Sequence, residues 1–315
     1  MKILLIGKNG QVGFELQRYL PRLGEVVSVD KDELDLANPN SIRSSLQELR
    51  PQLIVNASAY TDVNKAEAEE GIAQAINAEG PAVLAEEAKK LGAALVHYST
   101  DYVFDGTKRT PYLETDAPNP LNAYGRTKLA GEKAIASSGA AHLILRTSWV
   151  YSTRGTNFLL KILGAATQKE RLEVVSDQVG APTWSRIIAA GTVQILSSVG
   201  NLSCLGDSGG LYHLTAGGET SWYEFTRAIL ENCSDRAKRG PWFDEATSGR
   251  PVITTTVTPI KSDEYPTPAR RPAYSVLSNQ KVLEVFGVKL PHWRSQLRSF
   301  ISNTAANGGE CPDPI

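Results

Sequence analysis

The chain has 315 residues, of which 41% are apolar and 21% charged, proportions typical of a globular protein with room for two domains. Its 33 Lys and Arg residues are nearly balanced by 34 Asp and Glu residues, so neither nucleic acid nor an anionic membrane is an expected partner. The opening apolar run at 3–6 is too short for a secretion signal, and no stretch approaches the roughly 20 apolar residues that span a bilayer. Three cysteines, an odd number without the spacing of a zinc site, are typical of free thiols in a reducing compartment. We therefore expect a cytoplasmic protein.

Short apolar runs alternate with helical patterns through the first half of the chain. Buried strands are predicted at 3–6, 26–29, 53–55, 94–97 and 143–145. Helices are predicted between them, at 11–20, 41–49, 66–91 and 121–136. This alternation predicts βαβ units with right-handed crossovers. The fold class is therefore α/β, with a Rossmann-like doubly wound parallel sheet.

The second half of the chain carries fewer structural signals. Two helices, a short strand and a proline-rich extended loop are predicted at 185–196, 221–230, 252–258 and 265–272. We divide the chain into a dinucleotide-binding domain at 1–165, with some later segments interleaved, and a smaller α/β substrate-binding domain at 166–302. The polar, proline-bearing remainder at 303–315 is expected to be a disordered tail.

A glycine-rich turn follows the first predicted strand and precedes the first predicted helix. Its glycines permit a tight turn and let the backbone approach a pyrophosphate, whose charge the amides at the start of the helix would face. The spacing G-x-x-G-x-x-G differs from the G-x-G-x-x-G of many dehydrogenases, but the position after a strand favours a dinucleotide over a loop without a ligand. The residues that we assign to the cofactor in this turn are Gly7, Asn9, Gly10, Gln11, Val12 and Gly13.

Two residues that end the second predicted strand bear on the choice of cofactor. Asp30 stands where an acid binds the ribose hydroxyls of NAD(H), although a turn residue without a ligand is the alternative. Lys31 follows directly and would instead meet the 2′-phosphate of NADP(H). Because the two residues favour opposite cofactors, this part of the sequence leaves NADPH and NADH both open.

The strongest catalytic signal is Tyr124 followed four residues later by Lys128. On a helix these two positions share a face, and both lie in the fifth βα unit, after Thr100 at the end of the fourth predicted strand. Such a short pattern is also typical of two neighbouring residues on a solvent-exposed helix face that have no catalytic role. Its place in the fold, together with Thr100, favours a catalytic site instead.

The chemistry of ketone reduction fits these residue types. A nicotinamide supplies hydride, and the protein supplies a proton. Lowering a tyrosine pKa from about 10 to about 7 takes roughly 4 kcal/mol, which a cation about 4 Å away supplies at an effective dielectric constant of about 20. One well-placed lysine, helped by the charge of the cofactor, can therefore be sufficient. We therefore predict Tyr124 as the proton donor, Lys128 as its electrostatic partner, and Thr100 as the group that hydrogen-bonds the substrate carbonyl. The alternative role for Thr100 is to cap the turn after its strand.

Six longer segments resemble one family. They lie at 55–67 (VNASAYTDVNKAE), 98–104 (YSTDYVF), 121–132 (LNAYGRTKLAGE), 146–151 (RTSWVY), 180–183 (GAPT) and 265–272 (YPTPARRP). Taken in this order, they make residues 1–297 similar to the extended short-chain dehydrogenase/reductases, specifically the dTDP-4-dehydrorhamnose reductases. The resemblance implies an NAD(P)H-dependent oxidoreductase that reduces the 4-keto group of dTDP-4-dehydro-L-rhamnose to give dTDP-L-rhamnose, the last step of dTDP-rhamnose biosynthesis.

The same resemblance implies roles for individual residues. It makes Lys128 a ribose anchor as well as the partner of Tyr124. It adds to the cofactor site Asp35, Leu36, Ala57, Ala59 and Thr147. It places around the sugar Thr61, Val63, Thr100, Asp101, Tyr102 and Trp149. It assigns to the nucleotide diphosphate Asn157 and Arg271, and a surface ion pair is the alternative for the arginine. The other tryptophans, among them Trp222, are expected to be packing residues.

Some members of this family are described as dimers bridged by Mg²⁺ through carboxylates. Glu15 matches one such ligand, but Arg186 and His292 stand where the others are sought. Because a cation in place of an acid repels Mg²⁺, the sequence argues against this metal site, and we assign no metal ligand. Monomer and homodimer both remain open.

Two other functions compete with a rhamnose reductase. A non-catalytic Rossmann regulatory subunit would not need Thr100, Tyr124 and Lys128. Another sugar-nucleotide reductase or a 4-epimerase would use the same three residues, so they do not discriminate. The loop at 265–272 and the segment 61–67 favour the rhamnose reductase. Cofactor behaviour separates the two enzymes, because an epimerase purifies with NAD and recycles it whereas a reductase consumes NAD(P)H.

Overall fold

The computed structural model describes residues 1–200, 205–233 and 240–305. The strands in these ranges are β1 (Lys2–Ile6), β2 (Glu25–Val29), β3 (Leu53–Asn56), β4 (Ala94–Thr100), β5 (His142–Thr147), β6 (Val150–Tyr151), β7 (Arg171–Val175), β8 (Val179–Gly180), β9 (Thr183–Trp184), β10 (Gly210–His213), β11 (Thr220–Ser221) and β12 (Thr256–Ile260). Six of them form one parallel sheet in the order β10-β5-β4-β3-β1-β2. The others form the two-stranded sheets β6–β9, β7–β12 and β8–β11.

Helices cover both faces of the parallel sheet. They are α1 (Gln11–Tyr19), α2 (Pro39–Leu49), α3 (Lys65–Ala68), α4 (Glu70–Gln74), α5 (Gly80–Leu91), α6 (Ala123–Ser138), α7 (Phe158–Ala166), α8 (Ser185–Val199), α9 (Leu205–Ser208), α10 (Trp222–Asn232), α11 (Pro241–Thr247), α12 (Gln280–Phe286) and α13 (Trp293–Ala305). In β1, Ile3 and Leu5 belong to one core cluster, whereas Leu4 and Ile6 belong to another. Burial on both sides explains why the strands read as continuous apolar runs. The predicted Rossmann-like α/β fold is confirmed.

The strand order places the site. Strand β2 lies on one side of β1 and β3 on the other. The order in which successive strands are added to the sheet therefore reverses between β1 and β3, although the strands stay parallel. In such sheets ligands bind outside the carboxyl ends of the strands at this reversal. The glycine-rich turn after β1 and the ends of β3, β4 and β5 therefore share one edge.

The prediction of one continuous helix at 66–91 is wrong, because the helical segment is interrupted. Two short helices, α3 and α4, meet at Glu69, whose backbone leaves the helical region with φ −118° and ψ 37°. A π-helical turn, Ala75–Glu79, then joins α4 to α5. The wider turn buries Asn77, whose side-chain oxygen accepts from Tyr60 N at 2.8 Å and whose Nδ2 donates to Tyr60 O at 3.1 Å. The two bonds between Asn77 and the Tyr60 backbone thus connect the segment after β3 to the helices that cover the sheet.

Several expectations for the second half stay predictions. Strand β10 comes from beyond residue 165 and pairs with β5, but the domain boundary itself remains a prediction. Helix α13 covers the first residues of the expected tail, and residues 306–315 lie outside the described ranges. Of the three cysteines, Cys233 is buried, while the other two lie outside those ranges. No helix in the ranges described has the length and apolar character needed to span a membrane.

Candidate active site

The glycine-rich turn brings its backbone against neighbouring backbone on two sides. Gly7 has a φ of +89°, and a Cβ there would lie 2.9 Å from the backbone nitrogen of Ser58. A Cβ on Gly13 would lie only 1.9 Å from the carbonyl oxygen of Gly7. Gly10 precedes α1 and provides no side-chain cap, so the amides of the first turn of α1 are left for solvent or an anion. The turn therefore fits a dinucleotide pyrophosphate.

The other predicted cofactor residues lie close to the same strand ends. The Asp30 carboxylate accepts from the backbone nitrogens of Asn9 at 2.9 Å and Lys31 at 2.8 Å, so it fixes the glycine-rich turn. Asp35 accepts from Ala37 N at 3.0 Å within its own turn. Ala57 follows β3, and its nitrogen donates to Ile6 O at 3.0 Å. Contact of these residues with a cofactor remains a prediction.

Helix α6, which carries Tyr124 and Lys128, is anchored at its start. The Asn122 side chain accepts from Gly125 N at 2.8 Å and donates to Arg270 O at 2.8 Å. The Glu67 carboxylate accepts from Ala123 N at 2.6 Å, where a negative charge also favours the helix dipole. Two of the segments that carry the family resemblance, 55–67 and 265–272, therefore meet at the first turn of α6.

Thr100, Asp101 and Tyr124 come together at the end of β4. Thr100 pairs with Thr147 across β4 and β5, and its hydroxyl donates to Asp101 Oδ1 at 3.2 Å. Burial raises the pKa of Tyr124 to about 12, although a hydrogen bond with Thr100 acts in the opposite direction. Burial also raises the pKa of Asp101 to about 7. Two weak acids thus flank Thr100.

Lys128 is 1% exposed and is bonded to β4. Its Nζ donates to Tyr98 O at 2.6 Å and lies 3.1 Å from His97 Nε2. Burial lowers the pKa of Lys128 to about 8, and the negative charge of Glu132 acts in the opposite direction. In the polypeptide alone the pKa of Tyr124 is therefore raised, and its lowering by Lys128 together with the cofactor charge remains a prediction. Burial is the largest cause of the pKa shifts of both Tyr124 and Lys128. The Lys128 amine contacts His97 and the Tyr98 carbonyl.

The residues expected around the sugar and diphosphate meet next to Tyr124. The rings of Tyr102 and Tyr124 are perpendicular, with centroids 6.1 Å apart. Arg271 lies near Tyr102 and donates to Thr267 Oγ1 at 2.6 Å and Asn64 Oδ1 at 3.2 Å. Arg271 is thus bonded within the protein and is not an exposed surface ion pair. Sequence reasoning missed Asn64, although it lies inside the segment 55–67.

Trp149 has an unusual backbone conformation for a bulky residue, with φ +48°. Its ring stacks on Trp222 with centroids 3.3 Å apart and an angle of 5° between the planes. A Cβ on Gly180 would lie 2.4 Å from Trp149 Cε2, so only glycine fits beneath the ring. Trp222 is therefore a stacking partner as well as a packing residue. Backbone strain of this kind is typical of functional sites.

Asn157 links the start of α7 to the glycine-rich turn. Its Oδ1 accepts from Leu160 N at 3.1 Å, which caps α7, and its Nδ2 donates to Gln11 Oε1 at 3.0 Å. Both ends of the amide are thus engaged within the protein. The diphosphate contact expected of Asn157 remains a prediction.

The residues at the expected Mg²⁺ position do not fit a metal. Glu15 Oε2 lies 3.3 Å from Arg186 Nε and 3.8 Å from Arg18 Nη1, so its charge is compensated by arginines. His292 Nδ1 accepts from Arg294 N at 3.2 Å. Within the described ranges, no group of three or more His, Cys, Asp or Glu residues is placed to hold a metal ion.

Comparison with known proteins places this site in a wider context. Residues 1–306 match the family described as RmlD substrate binding domain. A dTDP-4-dehydrorhamnose reductase from Burkholderia thailandensis is 46% identical over 93% of this chain and 96% of its own. One from Escherichia coli is 42% identical over 96% and 97%, respectively. The structure of dTDP-4-dehydrorhamnose reductase from Bacillus anthracis in complex with NADP superposes with a TM-score of 0.83, at 31% identity over 96% of this chain and 99% of that one.

Proposed function

The chain belongs to the RmlD substrate binding domain family, and we propose that it reduces the 4-keto group of dTDP-4-dehydro-L-rhamnose to give dTDP-L-rhamnose. NADPH is the proposed hydride donor, with NADH as the alternative. The observation that carries this proposal is the placement of Tyr124 beside Thr100 at the end of β4, one helical turn from buried Lys128, at the edge of the sheet where the glycine-rich turn lies.

The residues of the chain divide the work of the reaction. A bound nicotinamide would supply the hydride that the carbonyl carbon receives. Tyr124 gives its hydroxyl proton to the carbonyl oxygen, and its high pKa ensures that the proton is present at neutral pH. Thr100 orients the same oxygen and, afterwards, stabilises the phenolate. Lys128 lies one turn along α6, where it would hold the ribose and return a proton to Tyr124.

We assign binding of the nucleotide sugar to the region around Tyr124 where Tyr102 and Arg271 lie. Tyr102 and Arg271 border this region, and the guanidinium has the donor geometry that suits a diphosphate. Trp149, whose ring is held in place by Trp222, is assigned to the sugar. We propose a cytoplasmic enzyme that acts as a monomer or homodimer on this small-molecule substrate. The near balance of positive and negative residues supports a small ligand over nucleic acid.

The direct test follows NADPH absorbance when purified protein is mixed with dTDP-4-dehydro-L-rhamnose. We expect one NADPH consumed for each sugar reduced, and no consumption with dTDP-glucose, which lacks the ketone. Binding of NADPH without consumption would overturn the assignment. Protein that purifies with NAD and interconverts sugars without net consumption would favour the epimerase.

Gly180→Ala is expected to raise KM for the dTDP-sugar about 10- to 100-fold, because the new Cβ would displace the Trp149 ring. The Kd for NADPH should stay within about twofold of wild type, since the glycine-rich turn is untouched. Steady-state kinetics and NADPH fluorescence titration measure the two effects. Gly217→Ala is the matched control, because its Cβ would make only an ordinary contact, 3.6 Å from His292 Cα. An unchanged KM in Gly180→Ala would remove Trp149 from the sugar site.

The unfolding free energy of the wild-type protein is expected to fall as pH rises, and in Asp101→Asn this fall is expected to be smaller. Because the pKa of Asp101 is raised to about 7 in the fold, against about 4 when exposed, the folded protein holds this proton more tightly. Its contribution is complete below about pH 4 and is lost as pH rises through about 7. Between pH 5 and pH 8 this amounts to roughly 2 kcal/mol of unfolding free energy. Urea unfolding at both pH values measures it, and equal slopes in the two proteins would contradict the buried, protonated carboxyl.

A further inference from the structure

A row of three polar side chains runs through the core between β3, β4 and α6. Asn56, His97 and Lys128 are each 1% exposed. Asn56 Nδ2 lies 3.1 Å from His97 Nδ1, and His97 Nε2 lies 3.1 Å from Lys128 Nζ. The row begins at the backbone nitrogen of Ser58, which donates to Asn56 Oδ1 at 3.1 Å. It ends at Tyr98 O, which accepts from Lys128 Nζ at 2.6 Å.

The first member of the row fixes the direction of every hydrogen bond in it. A backbone N–H only donates, so the Asn56 oxygen faces Ser58 and the Asn56 amide nitrogen, itself a donor, faces His97. His97 must then accept at Nδ1 and carry its hydrogen on Nε2. That N–H is directed at Lys128 Nζ. An amine with a free lone pair completes the bond, whereas an ammonium would place two donors face to face.

We propose that His97 is a positioning residue that presents an N–H to Lys128 and so favours the uncharged amine over the ammonium. Lys128 then exchanges its proton near neutral pH and does not serve as a fixed cation. The proposal rests on the proposed function, because it makes the Lys128 ammonium a stronger acid for returning a proton to the Tyr124 phenolate. It concerns the polypeptide alone and does not depend on which sugar is bound.

The charges around Lys128 agree with this reading. On its own helix, Glu132 would favour the ammonium, but Arg146 of β5 already pairs with that carboxylate through bonds of 2.9 and 2.7 Å. From β4, His97 stays neutral, because burial lowers its pKa well below the usual value. The π-helical turn contributes only the neutral amide of Asn77, which donates to Thr127 at 3.2 Å. Burial itself lowers the pKa of Lys128 to about 8, in the same direction as the hydrogen-bond chain.

The test is a direct titration of Lys128 by ¹H–¹³C NMR in protein labelled with ¹³C-lysine. The Lys128 signal is assigned as the one lost in Lys128→Met. We expect His97→Gln to raise the titration midpoint by at least about one pH unit, a tenfold change in acid dissociation, because the glutamine oxygen accepts from the ammonium. Asn56→Leu should raise it similarly, since His97 is then free to carry its hydrogen on Nδ1 and accept from Lys128.

Tyr98→Phe is the matched control. Tyr98 neighbours His97 in β4, but its hydroxyl lies 2.7 Å from Thr192 Oγ1, away from the chain of bonds. The midpoint should stay at the wild-type value in this variant. An unchanged midpoint in both His97→Gln and Asn56→Leu, or the same rise in Tyr98→Phe, would overturn the proposal. The titration needs no substrate, so absence of reductase activity would reject the proposed function and leave this result standing.

A kinetic readout follows in active enzyme. Because the protonated amine returns the proton to Tyr124, kcat/KM should fall as pH rises through the Lys128 pKa. His97→Gln should move this alkaline limb upward by the same interval as the NMR midpoint. A limb that stays in place while the NMR midpoint moves would contradict the part of the proposal that assigns the proton return to Lys128.

Discussion

Tyr124→Phe is expected to lower kcat for NADPH-dependent reduction by about 10²- to 10⁴-fold, the usual contribution of a positioned general acid. The substitution removes only the phenol hydroxyl beside Thr100 and leaves a ring of the same shape against Tyr102. NADPH should bind with a Kd within about threefold of wild type, because the glycine-rich turn and Lys128 are unchanged. Stopped-flow absorbance for a single turnover and fluorescence titration of NADPH measure these quantities.

Tyr60→Phe provides the control for that experiment. Tyr60 packs in the same small cluster as Tyr124, around Ala66, Ala73 and Ala123, but its hydroxyl donates to Glu69 at 2.5 Å. We expect kcat within about threefold of wild type, because this phenol takes no part in proton donation. If Tyr124→Phe retained more than about a tenth of the wild-type kcat, the proton donor would have to be another acid. Asp101, the buried carboxyl beside Thr100, would then be the first candidate.

The parts of the fold that the sequence predicts well are those governed by local pattern. The strands of the first half are apolar on both faces, and the i,i+4 spacing of Tyr124 and Lys128 places both on one side of α6. Strand β10 was missed because its four residues, Gly210–His213, have no apolar run and gain their burial from pairing with β5. The π-helical turn at Ala75–Glu79 was missed because one wider turn scarcely changes helical periodicity.

The environment of Lys128 depends on contacts between distant residues. Asn56 and His97 appear in the sequence as single polar residues within apolar strands, which does signal a buried polar contact. Their partners, however, lie 41 and 31 positions away. The register of β3 beside β4 brings Asn56 to His97, and the position of α6 beside β4 brings Lys128 to His97. The raised pKa of Tyr124 in the polypeptide alone has a related cause. Burial and the bonds that hold Lys128 are properties of the packed core and outweigh a simple two-charge estimate.

Gly13→Ala is expected to weaken NADPH binding at least about 100-fold. The new Cβ would lie 1.9 Å from the carbonyl oxygen of Gly7 and 2.8 Å from its carbonyl carbon, and both are backbone atoms that no side-chain rotation can move aside. Either α1 shifts away from β1 or the glycine-rich turn opens, and both movements displace the amides that would face the pyrophosphate. We also expect the unfolding free energy to fall by roughly 1–3 kcal/mol, the usual cost of overpacking.

Fluorescence titration with NADPH and urea unfolding separate these two effects of Gly13→Ala. Gly71→Ala is the matched control, because a Cβ at this helical position in α4 would meet no atom within 4 Å. It should leave NADPH affinity unchanged and keep or slightly raise stability, since alanine favours helix over glycine by up to about 1 kcal/mol. Gly10→Ala, whose Cβ would lie 3.3 Å from Gly7 O, should have an intermediate effect. A folded Gly13→Ala protein that bound NADPH as wild type does would mean that close packing of α1 on the turn is not needed to bind the cofactor. The assignment of the cofactor site would then depend on Ala57 and Thr147 at the strand ends. NADPH fluorescence titration of variants substituted at these two residues would test that assignment.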